Sequence, residues 1–274
     1  MSAEHQPAVP AHSSRGTIAV KRASDIVGAV LGLVLLAPVM AVVAVLIKLD
    51  TPGPVFFRQE RVGWNGRRFR IFKFRSMVMG AQNVGTALTV RADRRITRVG
   101  AFLRRKKIDE LPQLLNVLLG EMSLVGPRPE VPEFMSFYTP QQRALIVSMR
   151  PGLTDYAAIC FHDESSLLAE SRDPVEVYRR KIMPIKFAYY DRYSHEVGIF
   201  TDFRLILATI LMLITGRVPH FLGLGNEVQQ IAQAAADAPR IYAAHAAAQD
   251  GLSVDAATLV HGEKYTPSSV KKPV

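Results

Sequence analysis

The sequence predicts an α+β protein, mostly α, with one long apolar helix and a small domain of short strands and interfacial helices. Three observations predict it. Residues 26–49 form a nearly unbroken apolar run, interrupted only by Lys48. The dipeptide Asn65-Gly66 separates two stretches of strand-forming residues, a strong hairpin signal. Most of the chain beyond residue 98 carries helical rather than alternating apolar spacing.

Residues 1–16 are polar with Pro and Ser, and the disordered N-terminus is set at 1–20. Residues 21–50 form the membrane segment. At 24 residues, the run 26–49 is long enough to cross a hydrocarbon core of ~30 Å. The run is too long for a cleavable signal peptide. Pro38 sits at its middle, after Gly28 and Gly32, so a bend is expected where a backbone hydrogen bond is lost. Both flanks are basic: Arg15, Lys21 and Arg22 before, Lys48, Arg58 and Arg61 after. Positive charge belongs on one side of a membrane. A re-entrant helix-break-helix that turns at Pro38 satisfies both flanks; the alternative is one span kinked at Pro38.

Residues 51–216 form the catalytic-sized domain. Asp50 to Pro54 is a turn. Val55-Phe56-Phe57 opens a first strand and Arg68 to Met77 forms a second. Alternation places Phe72 and Phe74 on one face and Lys73 and Arg75 on the other, either as a solvated surface or aimed at phosphates. Residues 79–98 read as loop. Helices follow over Val99–Lys107, Leu111–Leu119 (closing at Gly120), Phe134–Met149 and Ser166–Tyr193. Thr201-Asp202 is expected to cap a final apolar run, Phe203–Ile214, which stops at Gly216. That run is too short to span and is core or interfacial. Residues 217–274 are Ala-rich, then polar, and read as a helical tail ending in disorder.

Composition narrows the function classes. The 274 residues carry a formal net charge of +10, with 49% hydrophobic residues. Such charge suits nucleic acid, anionic headgroups or phosphorylated substrates. A positive mean hydropathy of +0.12 argues against a nucleic-acid binder. The single cysteine, Cys160, excludes an intramolecular disulfide and reads as packing.

The stretch Arg104 to Glu130 concentrates the chemistry. Asp109-Glu110 directly follows Arg104, Arg105, Lys106 and Lys107, and Arg128 sits in a Gly126-Pro127-Arg128-Pro129 turn. One reading is a helix N-terminus with acids in its first turn. The other is a site where carboxylates, a divalent metal and an anionic substrate meet for phosphoryl transfer. The two are compatible, because a helix N-terminus also holds phosphate oxygens.

From Lys21 to Thr215 the chain resembles the bacterial sugar transferases, specifically small monotopic phosphoglycosyl transferases acting on polyprenyl phosphate. The collinear motifs are Lys21-Arg22 with Asp25; Pro54-Val55-Phe56-Phe57 with Gln59 and Arg61; Lys73-Phe74-Arg75-Ser76-Met77; Asp109-Glu110-Leu111-Pro112-Gln113-Leu114; Asn116-Val117-Leu118; Met122 to Pro129; and Arg150-Pro151-Gly152-Leu153-Thr154. The resemblance implies a re-entrant segment broken at Pro38, with Ala37 where relatives often carry Ser. It implies transfer of a sugar-1-phosphate from a UDP-sugar to undecaprenyl phosphate, releasing UMP and starting exopolysaccharide, O-antigen or capsule assembly. It gives Asp109 the role of nucleophile, forming a covalent phosphosugar intermediate. Glu110, with Asp109, holds Mg2+. Arg104 and Arg128 bind phosphate oxygens, with Lys73 and Arg75 as weaker candidates. The inner membrane, with the domain on its cytoplasmic face, is the implied location; nucleic acid is not an expected partner and a homodimer is left open. Asp155 to Glu164 departs from the family pattern, so no sugar is named. The competing class is a non-catalytic, membrane-anchored basic module that binds anionic lipid or an acidic partner.

Overall fold

In the computed structural model, residues 15–81, 93–162, 164, 168 and 174–224 are described. Contacts divide the chain into two units, Met1–Gln229 and Gln230–Val274; every element described lies in the first. The expected disordered N-terminus up to residue 14, the greater part of the 79–98 loop, most of 163–173 and the tail from residue 225 lie outside the described residues.

The apolar run folds as α1, Arg15–Asp50, a single helix of 36 residues with Pro38 inside it. The expected break is therefore corrected: the helix continues through Pro38. One side chain in every three or four turns toward the domain. Ala29, Leu33 and Leu36 pack with Phe69, Ile71, Leu114, Val117 and Met122. Met40, Val43, Ala44 and Ile47 pack with Phe74 and Leu103. This stripe keeps its phase across Pro38, which faces outward. A Cβ at Gly28 would lie 2.6 Å from Leu124 Cδ1, so glycine permits the close approach there. The outward face is apolar and exposed, including Leu31, Val34, Leu35, Val42, Val45 and Leu49.

Polar anchors fix both ends of α1 to the same domain. Near its start, Lys21 Nζ donates to Asp202 Oδ2 (2.5 Å) and Val125 O (3.0 Å). Arg22 donates to the carbonyls of Val117 and Leu118, which end α3 (Leu114–Leu118). The buried Asp25 accepts from Ser123 Oγ and Leu124 N. Beyond the other end, Arg75 donates to Pro52 O (2.7 Å) and Thr51 O (2.6 Å), and more distantly to Ile47 O (3.4 Å). These carbonyls close the last turn, where a cation is favoured.

The hairpin forms as expected. β1 (Phe56–Val62) and β2 (Arg68–Phe74) pair antiparallel, with Phe56 opposite Phe74 and Val62 opposite Arg68. Asn65 (φ 55°) and Gly66 (φ 71°) both take positive φ, as a tight turn of this hand requires. Asn116, fully buried, ties β2 to α3: its Oδ1 accepts from Phe72 N (2.8 Å) and its Nδ2 donates to Arg70 O (3.1 Å). A second sheet, parallel β3 (Ser123–Val125) and β4 (Gly152–Thr154), was not expected. Three residues are too few to show alternation.

Two further elements differ. The expected Phe134–Met149 helix is two helices, α4 (Pro132–Met135) and α5 (Pro140–Ser148). Thr139 caps α5 in a reciprocal capping box with Gln142, and Pro140 cannot continue a helix from before it. The closing helix runs Ile199–Thr215 from an N-cap at Gly198, so Asp202 is not its cap. Asp202 is buried and bound by Lys21 and Tyr193 instead.

Candidate active site

The Asp109-Glu110 pair sits on a 3-10 turn, Ile108–Gln113, that precedes α3. α2 (Arg98–Arg105) delivers the chain to it, and Lys107, with φ 56°, reverses direction between them. A left-handed non-glycine residue costs on the order of 1 kcal/mol, a strain stored beside the acidic pair.

The two carboxylates differ in their partners. Glu110 Oε1 accepts from Lys73 Nζ (2.8 Å) and Arg128 Nη2 (2.6 Å), and its Oε2 accepts from Arg128 Nη1 (3.3 Å). Burial works to raise the Glu110 pKa, but Arg128 and then Lys73 reverse this and hold it well below the usual carboxylate range. Glu110 in turn holds the Arg128 guanidinium well above its ordinary value. Asp109 is equally buried, yet its Oδ1 has no hydrogen-bond partner. Burial raises Asp109; Lys73 opposes the rise and Glu110 adds to it.

Three chain segments converge here. Lys73 comes from β2. Arg128 comes from the turn after β3, held by Gly126 N to Thr154 O (3.0 Å) and Gly152 N to Pro127 O (2.9 Å). A Cβ at Gly126 would meet Arg150 O at 2.4 Å, so that turn depends on glycine. Arg104, half-buried in the last turn of α2, lines the same cavity and lowers Asp109.

Of the expected phosphate ligands, Lys73, Arg104 and Arg128 therefore gather around the pair. Arg75 does not join them as a free cation. It is 5% exposed, and its guanidinium is engaged by the carbonyls following α1. The strand alternation was right in placing Arg75 beside Lys73, but the helix end captures it first.

Sequence reasoning missed Arg61, which donates to Pro129 O (3.0 Å) and Gln59 Oε1 (2.7 Å) beside Arg128. Burial and Arg128 push its pKa down to about 10. Its odd-numbered position in a strand with Gln59 was the available signal. Also missed were two tyrosines and a lysine that line the cavity, Tyr178, Tyr190 and Lys186, on or beside the helix Met183–Glu196.

The shared cavity has a volume of about 1770 Å3, enough for two substrates side by side. Its apolar rim includes Leu35 and Leu36 of α1 and Ile206, Ile210 and Leu213 of the closing helix. Among the described residues no group of three His, Cys, Asp or Glu side chains is arranged around a metal position. Magnesium needs fewer protein ligands when substrate phosphates complete its shell. Glu110 Oε2, which accepts a single bond at 3.3 Å, keeps a lone pair that fits that need, and so does the unpartnered Asp109 Oδ1.

A family model described as bacterial sugar transferase matches residues 16–216. The chain belongs to the bacterial sugar transferase family. It is 38% identical over 199 residues to a UDP-N-acetylgalactosamine-undecaprenyl-phosphate N-acetylgalactosaminephosphotransferase of Aeromonas hydrophila, covering 72% of this chain and 44% of that one. It is 40% identical over 213 residues to an exopolysaccharide production protein of Rhizobium leguminosarum bv. phaseoli, covering 72% of this chain and 96% of that one. It is 39% identical over 200 residues to a UDP-glucose:undecaprenyl-phosphate glucose-1-phosphate transferase of Escherichia coli, covering 70% of this chain and 39% of that one. The chain thus spans less than half the length of two of these three relatives. All of its candidate site residues lie inside the matched region.

Proposed function

We propose that this protein transfers a sugar-1-phosphate from a UDP-sugar to undecaprenyl phosphate and releases UMP. The observation that carries the reading is the contrast within the acidic pair. Glu110 is neutralised by Lys73 and Arg128, whereas Asp109 keeps an unpartnered carboxylate oxygen in the cavity. A nucleophile needs a lone pair that is not already engaged, and an ionised carboxylate needs no general base.

In the first step, Asp109 attacks the sugar-bearing phosphorus of the donor. A bond forms from the carboxylate oxygen to phosphorus, the bond from phosphorus to the UMP oxygen breaks, and UMP leaves as its anion. In the second step, a phosphate oxygen of the lipid attacks the same phosphorus and the Asp109 carboxylate is released. No proton needs to move in either step. Arg128, Lys73 and Arg104 offset the accumulating negative charge. Glu110 positions Arg128 and Lys73 rather than reacting. Magnesium, which Glu110 Oε2 and the donor phosphates would hold, would supply further charge neutralisation. The names of the relatives, which pair UDP-sugars with undecaprenyl phosphate, support this substrate pair.

The membrane reading follows from α1. Its inward stripe contacts the domain from Asp25 to Ile47, so a full crossing would carry the domain's charged residues into hydrocarbon. A shallow, re-entrant placement keeps them in water and buries the exposed apolar face. Pro38 lies on that outer face, where its ring crowds the carbonyl of Val34. A bend there opens the outer side and closes both halves toward the domain. The closing helix exposes Phe200, Phe203, Leu207, Ile210 and Ile214 in addition. Both ends of α1 would then lie on the cytoplasmic face, where UDP-sugars are found, with the polyprenyl chain entering past Leu35 and Ile210.

The test is UMP release from a panel of UDP-sugars, with undecaprenyl phosphate and magnesium. Release beyond one equivalent should require the lipid, and any release should require Asp109. Lipid binding without release from any donor would favour the non-catalytic basic module.

A further inference from the structure

The cavity has a second polar region that the phosphate chemistry above does not use. Tyr190 is fully buried, and its hydroxyl has no hydrogen-bond partner. The Nδ1 of His162 is likewise buried and unpartnered. Both residues line the cavity that holds Asp109 and Arg128. Buried polar groups are nearly always paired, so two open ones lining one cavity point to a missing ligand.

The charges nearby say what kind of ligand. Lys186, 4% exposed, is paired with Glu164 at 2.5 Å. Glu130, also buried, accepts from the hydroxyls of Tyr138 (3.1 Å) and Tyr178 (3.2 Å). Buried Asp155 adds a third carboxylate beside Tyr190, and Arg61 and Arg128 share the field of Glu130 and Glu164, so this region carries no excess of positive charge. Around Asp109, Lys73, Arg104 and Lys107 join Arg128 against two carboxylates, an excess that suits phosphate. A diphosphate therefore belongs beside Asp109, and a neutral, hydrogen-bonding group belongs beside Tyr190. A tyrosine hydroxyl both donates and accepts, and a neutral imidazole nitrogen does one or the other. Single-point groups of this kind suit separate hydroxyls on a ring better than the paired edge of a nucleobase.

Resting on the transferase reading, we propose that Tyr190 and His162 hydrogen-bond the sugar of the donor and determine which sugar is accepted. Neither residue enters the transfer itself.

The experiment uses Tyr190→Phe, which removes one oxygen that bonds to nothing in the protein. Its Tm should equal or exceed that of the wild type, because no internal hydrogen bond is lost. Calorimetry on full-length protein in nanodiscs, with Asp109→Asn in every sample so that no phosphosugar is transferred, would compare the Kd of the preferred UDP-sugar with that of UMP, which lacks the sugar. The expected result is an approximately tenfold weaker Kd for the UDP-sugar, the loss of one hydrogen bond, with the UMP Kd unchanged. His162→Phe should act in the same direction and should narrow the discrimination between epimeric UDP-sugars. Unchanged Kd values for the UDP-sugar in both variants would overturn the proposal. Equal weakening for UDP-sugar and UMP would also overturn it, assigning the wall to the nucleoside. The transferase reading is judged separately: wild-type protein that binds a UDP-sugar but never releases UMP would count against that reading alone.

Discussion

Arg128 holds Glu110 through both of its terminal nitrogens, at 2.6 and 3.3 Å, and this bond decides which acid of the pair is available. Lys73 completes the neutralisation from β2. Two adjacent carboxylates thereby acquire different tasks, one fixing cations and one left with an open oxygen.

The division predicts different failures for the two acids. Asp109→Asn should fold with a Tm at or above that of the wild type, because burial disfavours the charged carboxyl, and lose lipid-dependent UMP release to background. Glu110→Gln leaves Lys73 and Arg128 unpaired at a largely buried site. It should lower stability by about 2 kcal/mol or more, as well as activity. Parallel denaturation curves and UMP assays separate the two outcomes.

Lys73 on β2 and Arg75 just past its end are two residues apart but should behave oppositely. Arg75→Ala removes a buried guanidinium that satisfies the carbonyls of Thr51 and Pro52. It should cost about 2–3 kcal/mol of stability while the folded fraction keeps a near-normal KM for the donor. Lys73→Ala should weaken turnover by at least tenfold. A large KM change in Arg75→Ala with unaltered Tm would return Arg75 to the phosphate site.

Much of this was legible in the sequence because it rests on local chemistry. Asn65-Gly66 dictates its hairpin, the apolar run dictates α1, and Asp109-Glu110 beside four cations marks the site. What was illegible depends on partners far away in sequence. Asp202 looked like a helix cap because nothing nearby announces Lys21, 181 residues earlier. Arg75 looked like a phosphate ligand because its capture by a helix end is tertiary. The β3–β4 pair is visible only through the close approach of Gly126 and Gly152. Tyr190 carried no signal, since an apolar helix face with tyrosines reads as core.

Asp155 gives a pH signature. It caps α6 (Tyr156–Cys160) by accepting from Ala158 N, and its other oxygen is buried without a partner. Burial pushes its pKa up to about 6. A carboxyl raised on folding binds more protons in the folded state, so its contribution is fully present below the unfolded value of about 3.9 and is lost as pH rises through 6. Asparagine caps as well as aspartate and carries no charge. Asp155→Asn should therefore raise Tm more at pH 8 than at pH 4.5. An equal shift at both values would show that Asp155 is not buried as a charge.

Topology is testable by labelling. In a Cys160→Ala background, Val20→Cys and Pro54→Cys should both react only with reagent applied from the cytoplasmic side. Reaction of the residue-20 cysteine from outside would establish a full crossing. Pro38→Leu restores the backbone hydrogen bond that proline denies α1, and should shift that cysteine toward external reactivity.

The most direct measurement omits the acceptor. Protein, magnesium and the productive UDP-sugar, mixed without lipid, should release UMP in a burst approaching one equivalent. Mass spectrometry should then find the sugar-phosphate on the peptide containing Asp109, and adding undecaprenyl phosphate should remove it. Full turnover with lipid, but no burst and no adduct without it, would contradict the central claim and indicate direct attack by the lipid phosphate on the donor.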